Sequence, residues 1–114
     1  MRSHVFAISV LAALIFALPA PAADPAEGEK LFRNYCAQCH SLNPAEPGKR
    51  GPHLAHLFER RYGAVEGFPY RMIWKDADPV WTKENLDDYL EIHRIPEPDE
   101  RVHVIEYLFE ATGK

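Results

Sequence analysis

Five consecutive residues constrain this chain more than anything else in it. Cys36-Ala37-Gln38-Cys39-His40 contains both of its cysteines, three positions apart, with a histidine directly after the second. A Cys-x-x-Cys-His run is the attachment site of a c-type haem. Each thiol adds across one vinyl group to give a thioether, one turn of chain carries both bonds, and the histidine is left under the iron as proximal ligand. A chain of this composition contains such a run by chance in only ~0.2% of cases. The competing readings want more than is present. A thioredoxin-like pair wants a preceding strand and a βαβ context. A zinc site wants a second ligand pair at metal spacing, and the sequence has none. A plain Cys36–Cys39 disulfide is the remaining alternative. A chain built on this run folds around a large apolar disc and not around a core of its own.

The first residues are set apart from the rest. Arg2 precedes Val5–Leu18, an apolar run of 14 residues interrupted only by Ser9, and Pro19-Ala20-Pro21-Ala22 follows with small residues spaced for cleavage after Ala22. This pattern predicts a cleaved secretory signal peptide over residues 1–22 and one domain over 23–114. The run is shorter than the ~20 apolar residues that span a bilayer, so no stable membrane anchor is expected. Export implies a periplasmic or otherwise extracytoplasmic location and an oxidising compartment. The remaining 92 residues lose Arg2, which takes the formal charge from −4 to −5. Such a chain has no basic face with which to neutralise phosphates, so nucleic acid is not expected as a partner. A domain this small buries a limited share of its surface, and a large cofactor would supply the missing core.

Hydrophobic spacing predicts an all-α domain. Asp24-Pro25-Ala26-Glu27 reads as a helix start with Asp24 as cap and Glu27 completing a capping box. Gly28, Leu31, Phe32 and Tyr35 then share one face as far as about Cys36. Residues 41–53 are rich in turn signals, and 54–62 read as a short helix or turn. Gly63–Pro79 reads as an irregular loop anchored by Phe68, Tyr70 and Trp74. Thr82 caps a second helix over Lys83–His93, with Leu86, Tyr89, Leu90 and His93 on its apolar face. After Ile95-Pro96-Glu97-Pro98, a final helix runs over Asp99–Ala111, offers Val102, Ile105, Leu108 and Phe109 for burial and ends at Gly113. No alternating strand pattern, repeat or low-complexity segment occurs. Three main helices joined by long loops suit a domain that wraps something.

At this point the sequence resembles the class I cytochromes c, particularly the short bacterial ones akin to the mitochondrial protein. The likeness covers nearly all of residues 23–114. Gly28 and Phe32 match first-helix positions that pack on the terminal helix, and Tyr107 matches the aromatic there. Cys36, Cys39 and His40 match the haem motif. Gly51-Pro52-His53-Leu54 matches the family's Gly-Pro-x-Leu, in which the proline carbonyl accepts a hydrogen bond from the proximal histidine and the leucine packs on the haem. The resemblance further implies that Arg60 lies near a haem propionate and that Tyr70 and Trp81 donate to the propionates. It implies one covalent haem c with its iron. The physics is consistent: a carbonyl on the far nitrogen of a ligating histidine fixes its ring, and buried carboxylates want donors.

The chain departs from the family on the distal side. The family's last two helices are joined by a loop that carries a methionine ligand. Here the corresponding stretch, Ile92-His93-Arg94-Ile95-Pro96-Glu97-Pro98, is short and has no methionine. The only methionine after residue 22 is Met72, which aligns to the propionate-side loop. Four readings stay open: His93 as distal ligand, an iron left five-coordinate or holding water, Met72 reaching the iron if the 63–79 loop folds over the distal face, or another residue. His53, His56 and His103 read as loop or surface residues. The expected function is a monomeric one-electron carrier with atypical distal ligation, serving redox partner proteins. The alternative is a haem sensor, or a small-ligand-binding or peroxide-reactive haem protein with an open distal site. No catalytic acid–base constellation stands out, so an enzyme is not expected. The charge of −5 argues against a strongly acidic docking site on the partner.

Overall fold

The computed structural model describes residues 3–5, 9, 22–46, 49–71 and 79–112. The expected leader falls almost wholly outside the described residues, as do Met72, Trp74 and Gly113. Three helices carry the fold: α1 (Pro25–Tyr35), α2 (Lys83–His93) and α3 (Pro98–Thr112), with one turn of 3-10 helix at Leu57–Glu59. Among the described residues there is no strand, only an isolated antiparallel bridge between Arg61 and Val80. That bridge pins the two ends of the 63–79 loop, with Tyr62 N–H donating to Pro79 O and Trp81 N–H to Arg60 O.

Asp24 caps α1 in an extended conformation, its carboxylate accepting from Ala26 N–H at 2.9 Å. The expected capping box does not form there. The Asp24 N–H that Glu27 would have satisfied donates instead to His103 Nδ1 at 2.9 Å, and Glu27 turns outward toward Lys30. The tertiary contact with α3 outcompetes the local one. A complete capping box is found at α2: Thr82 Oγ1 accepts from Asn85 N–H and Asn85 Oδ1 accepts from Thr82 N–H.

α1 crosses α3 at Gly28. A Cβ at this position would lie 2.0 Å from the backbone oxygen of His103 and 2.7 Å from Tyr107 Cβ, so only glycine permits the approach. One turn on, Phe32 is buried against Tyr107 with ring centroids 5.6 Å apart. Gly28, Phe32 and Tyr107 thus meet as the resemblance implied. α2 packs Leu86 and Leu90 inward. α3 corrects the expected burial. Its inner stripe is Arg101, Val104, Ile105, Leu108 and Thr112, whereas Val102 and Phe109 are 45% and 42% exposed. Residue type alone favoured Val102 over Arg101, but the helix is rotated so that Val104 seals the core. Phe109 settles for a half-exposed seat against Phe58 and under the Lys83 ammonium.

Candidate cofactor site

α1 ends where the motif begins. Cys36 N–H donates to Phe32 O at 2.8 Å as the helix closes, and Cys39 and His40 N–H both return to Cys36 O. This turn brings the two cysteines together and directs His40 inward. Neither thiol is engaged in a disulfide. Burial pushes the Cys36 thiol up to about 11, further raised by Cys39 and partly offset by Arg94. It therefore stays protonated at neutral pH. Among the described residues no cluster of three or more His, Cys, Asp or Glu could hold a bare metal ion.

The chain from Lys49 to Leu54 straps the histidine in place. Gly51 N–H donates to Cys39 O and Leu54 N–H to Ser41 O, each at 2.8 Å. Between these ties, Pro52 O lies 2.7 Å from His40 Nδ1. A carbonyl carries no proton, so Nδ1 donates and Nε2 keeps its lone pair for a metal. Burial lowers the His40 pKa, the Pro52 hydrogen bond opposes this, and Arg60, Lys49 and Arg94 add to it, so the ring is held neutral. Gly51 gives the ring room: a Cβ there would lie 2.3–2.8 Å from three of its atoms.

His40 opens on a cavity of about 780 Å³. Leu54, Leu57, Leu86, Leu90 and Leu108 give it an apolar lining, and Cys36 and Pro52 lie on its wall. Arg60, Tyr70 and Trp81 line the same cavity. Arg60 is held there by donating to Ala55 O at 3.2 Å, with His53 Nδ1 3.5 Å away, and burial lowers its pKa. Tyr70 accepts from Val65 N–H at 2.9 Å, which leaves its own O–H to donate elsewhere. Trp81 stacks on Tyr62 at 3.9 Å and meets Tyr89 edge-on at 5.3 Å. Of the expected site residues, then, Cys36, His40, Pro52, Leu54, Arg60, Tyr70 and Trp81 share one cavity, with Cys39 in the adjoining turn.

His93 does not join them. It was expected on the buried face of α2, but its side chain is exposed, and its ring stacks behind Tyr89 at 4.4 Å. The helix delivers Leu86, Tyr89 and Leu90 to the cavity, and the last turn rotates His93 out. Met72 lies outside the described residues. Tyr89 is a cavity residue that no motif marks. Its one sequence signal is a polar-tipped aromatic on the apolar stripe of α2, and burial raises its pKa.

Residues 25–111 match the family model described as Cytochrome c. A cytochrome c2 of Blastochloris viridis is 42% identical over 90 residues, covering 79% of this chain and 68% of that protein. A cytochrome c of Chlamydomonas reinhardtii is 37% identical over 106 residues (82% of this chain, 95% of that protein). One from Nigella damascena is 33% identical over 106 residues (82% and 96%). With its three helices and apolar cavity, the chain belongs to the class I cytochrome c family, whose members carry one covalently bound haem c with its iron. It is accordingly a haem c electron carrier, of a kind that meets redox partner proteins. The residues present fit that group. The cavity is apolar where a porphyrin face would lie, the histidine tautomer frees Nε2, Gly51 lacks the Cβ that would crowd the ring, and both thiols are free.

Proposed function

We propose that this chain is an exported, monomeric one-electron carrier whose haem is tied by thioethers at Cys36 and Cys39 and ligated proximally by His40. The hydrogen bond from His40 Nδ1 to Pro52 O at 2.7 Å carries this reading. It fixes the tautomer, aims Nε2 and makes the ring a stronger electron donor. When bound, the haem supplies a reversible one-electron iron couple. The chain's own residues set its surroundings. Leu54, Leu57, Leu86 and Leu90 exclude water, while Arg60, Tyr70 and Trp81 offer a cation and donors to the propionates.

The distal side is atypical in this reading. α2 and α3 are joined by Arg94-Ile95-Pro96-Glu97 alone, which contains no methionine. Methionine ligation raises the potential of a c-type haem, so a connector without one favours a lower value. The apolar leader and Ala20-Pro21-Ala22 support export, after which residues 23–114 form the working domain. No helix among the described residues is long and apolar enough to cross a membrane.

Protein purified from an exporting host should retain its haem through denaturing electrophoresis and acid–acetone extraction, and Cys36→Ser and Cys39→Ser should each remove one thioether. Reversible reduction should occur at a potential below that of His/Met relatives, without the ferric charge-transfer band of methionine ligation. Extractable haem would overturn the attachment, and a full-strength methionine band would overturn the distal reading.

A further inference from the structure

The short connector between α2 and α3 is held by one buried side chain. Arg101, in the first turns of α3, is only 7% exposed at its side chain. Its Nη1 donates to Ile95 O at 3.0 Å and to Pro96 O at 2.8 Å. Its Nε donates to Asp87 Oδ1 at 2.8 Å, and its Nη2 lies 3.8 Å from Glu91 Oε2. One guanidinium thus grips α2 at two positions and the connector at two more. Arginine suits this because its donors sit in a rigid planar fork, which the single ammonium of lysine cannot reproduce.

These contacts bracket His93. Glu91 is gripped two residues before it, and Ile95 and Pro96 two and three residues after. The intervening chain is fixed as well. Arg94 N–H and Ile95 N–H both return to Leu90 O, Arg94 Nε donates to Tyr35 O at 3.0 Å, and Ile95 is fully buried. The imidazole nevertheless stands just behind the cavity wall. It stacks on Tyr89 at 4.4 Å, and Tyr89 lines the cavity. A good iron ligand is therefore held one aromatic ring away from the space the cofactor fills, by a clamp that touches neither.

We propose that Arg101 is a positioning residue that sets the coordination of the haem iron from a distance, by locking the last turn of α2 and its connector so that His93 stays off the iron. This rests on the haem reading of the cavity. The clamp takes over the task of a longer connection: it fixes which face of α2 meets the cofactor, with Leu86, Tyr89 and Leu90 inward and His93 outward. With the clamp gone, Asp87 and the carbonyls of Ile95 and Pro96 lose their donor, the last turn frays and the imidazole can exchange with the Tyr89 ring.

The test compares the haem-loaded wild type with His93→Ala, Arg101→Met and Arg101→Met/His93→Ala, by optical and electron paramagnetic spectra and by potential. His93→Ala should match the wild type. Arg101→Met should shift to a bis-histidine low-spin spectrum with a lowered potential, and the double variant should lose that species. Three results would each overturn the proposal: a His93→Ala spectrum unlike the wild type, a folded and loaded Arg101→Met indistinguishable from it, or a new species that survives removal of His93. Should Arg101→Met fail to accumulate with haem, Asp87→Ala, which cuts only the Nε contact at a part-exposed carboxylate, decides by the same criteria. Failure of the underlying haem reading would show separately, as absent covalent haem in the wild type.

Discussion

At His40, a proton's position depends on a backbone carbonyl and a missing methylene. Pro52 O fixes the proton on Nδ1, and Gly51 leaves the ring room beside the strap. Gly51→Ala would set a Cβ 2.3 Å from His40 Cε1, with backbone on one side and a constrained ring on the other. We expect the ring to be displaced and the 2.7 Å hydrogen bond lost, with a several-fold lower yield of haem-loaded protein and an altered proximal-ligand spectrum. Pro52 itself can be replaced more gently, because the contact uses its carbonyl and not its ring. His53, next in the chain, gives a pH signature. Burial lowers its pKa, and Arg60 and His56 lower it further. The unfolded chain therefore binds a proton that the native chain resists. Stability should be complete above the ordinary histidine range, near ~6.5, and should decline as pH falls from there through the lowered native value. Denaturant unfolding of the haem-loaded protein from about pH 8 to about pH 5 would trace this fall, and His53→Asn should flatten it. A slope unchanged by that substitution would assign the effect to other groups.

Among elements, the crossing of α1 and α3 tolerates the least change. Gly28→Ala forces its methyl against the backbone oxygen of His103, which cannot rotate away, so the helices must separate or slide. Overpacking of this kind costs ~1–3 kcal/mol, which lowers the melting temperature of a domain this size by several degrees per kcal/mol. Thermal unfolding of the loaded variant should show that loss, while Gly67→Ala, where nothing lies near the added Cβ but φ is +78°, should lose less. The crossing also marks what sequence could and could not convey. α2 appears at its expected bounds, and α1 and α3 within a residue of theirs, because caps and apolar spacing act locally. The His40–Pro52 pairing was legible because a short motif encodes it. The burial of Arg101 was not, since it depends on acceptors contributed by Asp87, Ile95 and Pro96, which only the folded connector brings together. The outward turn of His93 was hidden for a related reason. Four residues after Leu86 and seven after it are equivalent on a helical wheel, yet α2 ends at the second of these, where the chain bends toward Arg94. Glu27 illustrates the converse, a correct local signal displaced by His103 on another helix.

Over the whole molecule, the helices and the loops contribute to different halves of one container. α1 and α2 both pack on α3, and the turn at Leu57–Glu59 touches α3 as well. Much of the chain between Cys36 and Trp81 instead meets the helices across the cavity of about 780 Å³, where Leu54, Leu57, Trp81, Leu86 and Leu90 face one another. These residues stand at the edge of a core whose centre the chain does not itself fill. Among the described residues the largest fully buried side chains are Ile95, in the α2–α3 connector, and Val104, on α3, and neither lines the cavity. We expect haem to act as a structural element whose loss is not felt evenly. The Gly28 crossing and the Phe32–Tyr107 contact need no cofactor, so α1 and α3 should keep part of their helicity without it. The strap from Lys49 to Leu54, the Arg60 wall and the Leu86–Leu90 face of α2 line the cavity, so they depend more on the cofactor, although Arg101 still ties the end of α2 to α3. We therefore expect a Cys36→Ser/Cys39→Ser/His40→Ala chain to keep a reduced helical signal and to melt without a cooperative transition. The loaded wild type should unfold in a single step by circular dichroism and haem absorbance together. An unloaded chain as helical and as cooperative as the loaded one would mean that the container closes on itself, and that the leucine wall is a conventional core.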